Sequence, residues 1–518
     1  MENQKFDLVR QILRSPLFHS QPQEEKLNTL NSILNTGEVK REDLLFLINE
    51  ALEENKEKSS LENEEVDFER IGRNLESLDY VTFLTFVRKG KIEGKDLIRL
   101  CNTSRKLNEY CNRSFQIKNK NGIYVGEPIP QYLFVTLLNN KGIKLLPGQN
   151  PREVYKRRVI GGRVYSFGSN SFMQLGFGDE KNRSIPTLIP HLDNIVQASA
   201  GQYHSLLSDN KGQVWGFGNN ETGQLGLGDR MSKNRPTLIP RLNYIIEIRT
   251  GHSHSLALDN LGNVWGFGSN ANGQLGLERE EEDDEEEEDN VLGPVLIASL
   301  NNIVHISAGR FHSLALDNQG RVWGFGYNHE GQLGLGDKNK RYIPTLIPNL
   351  NNIIQINAGN YHSLALDNQG KVWSFGANRT GQLGSGNTEG RLVPILIPKL
   401  NNIVRISAGG QHSLVLDNRG KVWSFGNNYY GQLGLGNTQE NFLSPVAIPD
   451  LSNIVQISAG GNYSLVLDNQ GKVWSFGYNI FGQLGLGDGN DRLIPTLIPD
   501  LNDVFQVSAG ASHSLILR

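Results

Sequence analysis

Six histidines of this 518-residue chain stand in one context, Gly-x-x-His-Ser: His204, His254, His312, His362, His412 and His513. A seventh copy carries Tyr463 in the same slot. Recurring imidazoles could ligate a metal, but a zinc-type site needs three or four ligands converging at about 2 Å. One residue per repeat spreads the imidazoles around a ring, and the tyrosine breaks the set. The series therefore reads as structural, an imidazole or serine hydroxyl capping a blade's backbone groups. No metal and no cofactor is expected.

A second chemical signal is the glycine-rich segment Gly376-Ala-Asn-Arg-Thr-Gly-Gln-Leu-Gly-Ser-Gly386. It lacks the Lys-Ser/Thr that follows the glycines of a phosphate loop, and no helical pattern comes after it. It reads as a tight loop between strands. The recurrent Asp-Asn-x-Gly turns are too short for calcium loops of the helix-loop-helix type. A third signal is charge. Residues 278–289 hold eleven carboxylates and one arginine, a local charge of −10 in a chain whose total is −4, so the remainder carries +6. Like charges at this density predict a solvated loop. The alternative is contact with a basic partner through Glu280, Glu281, Glu282, Asp283, Asp284, Glu285 and Glu286.

The elements that position these residues are legible from the tryptophans. All six, Trp215, Trp265, Trp323, Trp373, Trp423 and Trp474, lie in Val-Trp-Gly/Ser-Phe-Gly, and Tyr165 takes the slot in a seventh copy. The intervals from Tyr165 onward are 50, 50, 58, 50, 50 and 51 residues, the long one holding the acidic run. Within a copy, His362-Ser-Leu-Ala-Leu366 and Lys371-Val-Trp-Ser-Phe375 alternate with period two around Asp367-Asn-Gln-Gly370, a hairpin signal. Two further short apolar runs, Ile395–Ile397 and Ile403–Ile406, bring the count to about four strands per 50 residues, the content of one propeller blade. These aromatic residues are expected to pack between blades.

The ends of the array are complementary. The chain stops at His513-Ser-Leu-Ile-Leu-Arg518 without the Val-Trp-Gly/Ser-Phe-Gly partner, and the first copy lacks an upstream His-Ser-Leu strand. Pairing first strands with last completes a seventh blade and removes the open edges. The predicted fold is mainly β: a seven-bladed β-propeller closed by that pairing, behind an α-helical N-terminal domain.

The stretch Gly359-Asn-Tyr-His-Ser-Leu-Ala-Leu-Asp-Asn-Gln-Gly-Lys-Val-Trp-Ser-Phe-Gly-Ala-Asn-Arg-Thr-Gly-Gln-Leu-Gly384 resembles a repeat of the regulator of chromosome condensation family, and the likeness extends over residues 155–518. The resemblance implies a seven-bladed propeller. It also implies one of two roles: nucleotide exchange on a Ran-type small GTPase by a chromatin-bound factor, as in the founding member, or an interaction module, as in ubiquitin ligases and scaffolds. The founding branch supports nucleotide release with a wedge-like insertion in one blade. Here Phe-Gly-x-Asn-x-x-x-Gln-Leu-Gly keeps ten residues in all seven copies. The ultraviolet-sensing branch carries Gly-Trp-Arg-His, whereas the matching slots here include Gly201-Gln-Tyr-His204 and Gly309-Arg-Phe-His312.

Ahead of the repeats the periodicity is helical. Leu8, Val9, Ile12 and Leu13 share one face, as do Leu44, Leu45, Ile48 and Leu52. A second helical block holds Leu75, Leu78, Val81 and Leu84, followed by Leu97, Leu100, Cys101, Leu107 and Tyr110. Residues 75–111 resemble an F-box, a three-helix module that docks a ubiquitin ligase through a Skp-type linker. That resemblance makes Leu75, Leu78, Leu84, Leu97, Leu100 and Leu107 candidate docking residues. A plain helical cap on the propeller is the alternative for the same residues. The expected domains are a helical region at 1–66, the F-box-like module at 67–120, a linker at 121–154 and the propeller at 155–518 with an acidic loop at 278–290.

Two cysteines, Cys101 and Cys111, exclude a disulfide framework and fit a reducing compartment. No run of about 18 apolar residues predicts a membrane span, and no signal-peptide pattern opens the chain. An intracellular protein, cytoplasmic or nuclear, is expected. The composition is not that of a nucleic-acid binder. Together these readings predict a non-enzymatic protein-interaction protein, with substrate recruitment to a ubiquitin ligase as the leading mechanism. Exchange on a Ran-type GTPase and chromatin association are the competing ones.

Overall fold

The computed structural model describes residues 161–278, 289–437 and 441–518, together with the backbone of strands Ser114–Asn119 and Gly122–Pro128. The six leucines of the F-box-like reading and the seven candidate contact carboxylates, Glu280 to Glu286, lie outside the described residues. So does the helical N-terminal domain. The one N-terminal element described is antiparallel, Asn119 pairing with Gly122 and Ile117 with Tyr124. This strand pair falls across the expected boundary between the 67–120 module and the 121–154 linker. Asn121-Gly122 is itself a hairpin-turn signal, and β-branched and aromatic residues follow it.

From Gly161 on, seven four-stranded antiparallel sheets follow one another. In the fourth blade the strands are Ile353–Ala358, His362–Asp367, Val372–Gly376 and Arg391–Leu396, in that spatial order. First strands of successive blades touch each other and line the axis, so the fourth strand is outermost. Every fourth strand carries a proline, such as Pro394, which removes a donor and blunts the exposed edge.

The seventh blade is composite. Gln506–Ala509 and His513–Leu517 come from the C-terminal end, Val164–Gly168 and Arg183–Leu188 from the start of the array. Val164 pairs with Leu517 and Gly168 with His513, which closes the ring as the complementary ends predict.

The cores lie between blades. Leu314, Leu316 and Val322 of the third blade pack against Ile353, Ile356, Ala365 and Phe375 of the fourth. Alternation along each strand sends one set of side chains to each neighbouring blade. The tryptophans join these clusters from the edge: Trp373 is only partly buried, whereas Phe375, two residues on, is fully buried. The indole of Trp373 also donates to Asp367 Oδ2 at 3.3 Å, tying the third strand to the hairpin turn before it. The prominent residue of the repeat is therefore a clamp at the blade margin, and the phenylalanine is the core.

Candidate functional site

Strand direction sorts the loops. First and second strands of a blade are joined at the same end as third and fourth strands, because each connection reverses the chain. That end carries Gly-x-x-His and Phe-Gly-x-Asn-x-x-x-Gln-Leu-Gly, and it is termed the upper face here. Hairpin turns and blade-to-blade connections form the opposite, lower face.

Beneath the upper face the six histidines form a belt. His204 Nε2 lies 2.9 Å from Ser255 Oγ of the next blade, His362 Nε2 2.9 Å from Ser413 Oγ, and His513 Nε2 2.9 Å from Ser205 Oγ across the closure. His254, His312 and His412 bond Ser313, Ser363 and Ser464 in the same way, and Tyr463 completes the circle through Ser514 Oγ at 2.9 Å. Each serine donates its one proton to a glutamine carbonyl, as Ser413 does to Gln382 at 2.8 Å. The serine oxygen therefore accepts from imidazole, which fixes each ring as the neutral Nε2–H tautomer. Burial pushes these imidazoles down to about 3, and His362 to about 4. The serine hydroxyls thus cap backbone carbonyls as expected, while the imidazoles cap none and instead link blades, with Nε2 engaged and Nδ1 buried without a partner.

A second belt runs closer to the axis. The residue after each motif glycine donates its amide to the next blade's glycine carbonyl, as Asn360 N does to Gly409 O at 3.2 Å and Ala511 N to Gly201 O at 3.0 Å. A Cβ on Gly309 would stand 2.5 Å from the Gly359 oxygen and 2.5 Å from His312 Cε1, so space, not dihedral freedom, demands glycine. Six of the seven links form; the one from His252 to Gly309 does not.

That gap coincides with another departure. Inner strands are stitched by side chains bonding the next blade's backbone, such as Gln355 Oε1 accepting from Ile406 N. In the second blade Glu247 stands there, bonded to Ile306 N, to Arg249 at 2.6 Å and to His305 at 2.9 Å. Burial raises the Glu247 carboxyl, but Arg249 and His305 outweigh it and hold it below its ordinary value. Comparing the inner strands copy by copy, Glu247 against Gln197 and Gln355, exposes this signal in the sequence, where attention to shared residues passes over it.

Above both belts the copies diverge. The two free positions of Gly-x-x-His read Gln202-Tyr203, His252-Ser253, Arg310-Phe311 and Asn360-Tyr361 on one half of the ring. The other half reads Gly410-Gln411, Gly461-Asn462 and Ala511-Ser512. On the first half an unbroken aromatic band runs from Phe172 to Tyr203 (4.4 Å between ring centroids), His252 (5.5 Å), Phe311 (5.2 Å) and Tyr361 (6.3 Å). Tyr327 and His329 extend it outward. The Arg310 guanidinium lies over Phe311 at 4.9 Å and Tyr361 at 5.4 Å, a cation–π arrangement. Arg310 is the one charged side chain lining the axial cavity of about 120 Å³, and it has no carboxylate partner among the described residues. Burial, then Arg310, depresses His252 to about 4, so the ring beside the guanidinium is neutral. Glu278 and Asp289, the two ends of the acidic run, belong to the third-to-fourth connection of the second blade and hence to this face.

Aromatic rings with an arginine, half exposed around a concave rim, are the composition of a protein-docking surface. Among the described residues no three of His, Cys, Asp and Glu converge as a metal site, and no helix is long and apolar enough to cross a membrane.

Comparisons with known proteins agree with this architecture. A family model described as RCC1-like domain matches residues 232–518, more than half the chain, and models of the regulator of chromosome condensation (RCC1) repeat match 161–208 and 195–224. A 53-residue segment is 47% identical to the probable E3 ubiquitin-protein ligase HERC4 of Rattus norvegicus and of Mus musculus, covering 10% of this chain and 5% of those proteins. The solved structure of human WBSCR16 superposes with a TM-score of 0.62 at 25% identity over 69% of this chain and 98% of that one. Prp20p of Saccharomyces cerevisiae, whose structure was described with its binding to Gsp1p and histones, gives 0.62 at 24% identity over 70% of this chain and 93% of that chain.

Proposed function

The chain belongs to the RCC1-like domain family, and on that premise we propose that it is a non-enzymatic interaction protein whose upper face holds a protein partner. The observation that carries this reading is the division of labour within the repeat. Residues common to all copies are consumed by blade linking, while the free positions assemble an aromatic band around Arg310 on one half of the rim. Buried aromatic and arginine anchors carry most of the energy of such interfaces. In the finer reading, residues 75–111 dock a Skp-type linker of a ubiquitin ligase and the propeller presents the substrate. The F-box-like pattern of leucines supports the first half, and the HERC4-like segment is consistent with the second. The full chain should co-purify with a Skp-type linker, and Leu97→Asp with Leu100→Asp should abolish this while the propeller's melting temperature stays unchanged. Retention of the linker by that variant would remove the ligase reading.

Nucleotide exchange on a Ran-type GTPase is the second reading, supported by family membership. Its test is release of labelled GDP in the presence of the full chain. Acceleration lost on Arg310→Ala would replace the ligase mechanism by exchange, on the same face.

A further inference from the structure

The lower face carries its own departure from the repeat, confined to the second blade. Each blade-to-blade connection ends in a residue held in the left-handed region. Six copies place Asn or Asp there: Asn194, Asn302, Asn352, Asn402, Asn453 and Asp503, with φ between 54° and 63°. These short polar side chains tolerate that conformation. The remaining copy has Tyr244, with φ of 56°, and the residue is 69% exposed. A bulky residue in a strained backbone slot, gaining no burial in return, is not explained by folding.

Its neighbours depart in the same sense. The turn residue that is Lys211, Gln319, Gln369, Arg419 or Gln470 in other blades is Leu261 here, 77% exposed. Tyr244 sits between two turns. Ile245 N donates to Gly212 O at 3.1 Å on one side, and Asn260 N donates to Tyr244 O at 3.1 Å on the other. Leu261 and Lys211 therefore flank the tyrosine. Two residues on, in the strand Ile245–Thr250, Ile246 is 59% exposed, and Val304 of the next blade continues the apolar row.

Two cations stand in the same segments, Lys211 in the flanking turn and Arg241 three residues before Tyr244 in the connection. Lys211 and Arg241 have no carboxylate partner among the described residues. The Asp209 and Asp259 carboxylates are turned into their own hairpins, Oδ1 accepting from Lys211 N and Gln213 N in one and from Leu261 N and Asn263 N in the other. Glu247, on the same strand, is buried and paired with Arg249.

We propose that Tyr244, Ile246 and Leu261 form a second docking site, on the face opposite Arg310, for a peptide segment of a partner that presents large apolar side chains beside carboxylates. The apolar patch supplies the contact area and Lys211 and Arg241 select the acidic flank. The site is independent of the upper-face reading, because it uses the other ends of the strands.

Reversion to the repeat's own residues separates binding from folding. The probe is a displayed library of random dodecapeptides panned against the full chain. Enriched peptides should combine at least two large apolar residues with Asp or Glu. Their affinity should fall about ten-fold or more in Tyr244→Asn/Leu261→Gln, while that variant melts no lower than the parent. Lys211→Glu/Arg241→Glu should weaken binding more at low salt than at high salt. Arg310→Ala should leave it unchanged. Failure to enrich, or equal binding by the Asn/Gln variant, overturns the proposal. So does a parent chain that sediments as a dimer and becomes monomeric in that variant, since a second copy would then be the occupant.

Discussion

Phe375 and Trp373 stand two positions apart in the same strand, and their environments rank them opposite to their prominence in the sequence. Tryptophan draws attention because it is large and occurs at one slot only, yet its indole lies at the blade margin and bonds Asp367. The phenylalanine ring is fully enclosed between two blades. Phe375→Ala should cost about 3–5 kcal/mol, and Trp373→Ala roughly half of that, because a half-exposed side chain leaves a smaller void. Chemical denaturation of the two variants measures the order directly. Equal losses would return the tryptophan to the core. The histidines show a comparable limit. Their motif is plain in the chain, but nothing local says that Nε2 reaches a serine 51 residues away.

Belts of imidazole and glycine join the blades as elements, and they predict how stability varies with pH. Each imidazole has a folded value of about 3 or 4 against 6.5 in the unfolded chain. The unfolded state therefore binds more protons between those values. Stability is complete above about pH 6.5 and declines as pH falls, by up to about 1.4 kcal/mol per pH unit for each histidine once it is well below 6.5. Equilibrium unfolding between pH 6.5 and 5, above the range of most carboxylates, should show this steep dependence. His362→Gln, whose amide can still donate to Ser413, should reduce the slope by about one proton; an unchanged slope would mean that His362 does not titrate as a buried neutral ring. Glycine spacing is tested by Gly309→Ala. The added methyl meets the Gly359 oxygen and the His312 ring, so the melting temperature should fall although the backbone dihedrals suit alanine. A neutral result would mean that the belt has slack at this link, although its Arg310 N to Gly359 O hydrogen bond forms.

At the scale of the whole molecule the ring is closed by the second strand of the composite blade, whose Leu515 and Leu517 pack with Val164 and Leu207. Deleting 513–518 opens two edges, removes one histidine link and exposes that cluster. The shortened chain should lose cooperative unfolding and gain hydrogen exchange in the first and sixth blades before the third and fourth. Uniform loss across all blades would mean that closure is not a local seam.

The sequence by itself determined the repeat, the four strands of each unit, the blade count and the composite seventh blade. Periodicity and complementary ends are local or pairwise properties that a chain displays without folding. It also placed the acidic run within the second blade and marked the histidines as structural. Only the tertiary structure decided what those histidines bond, which aromatic residue is core, and that Phe172, Tyr203, His252, Phe311 and Tyr361 form one band. Rotation about the axis brings equivalent loops of neighbouring blades side by side, so residues about 50 positions apart become contacts. The same rotation gathers Tyr244 and Leu261 onto one patch. Their departures from the repeat are visible in the chain; that they are adjacent, exposed and strained is a property of the closed ring.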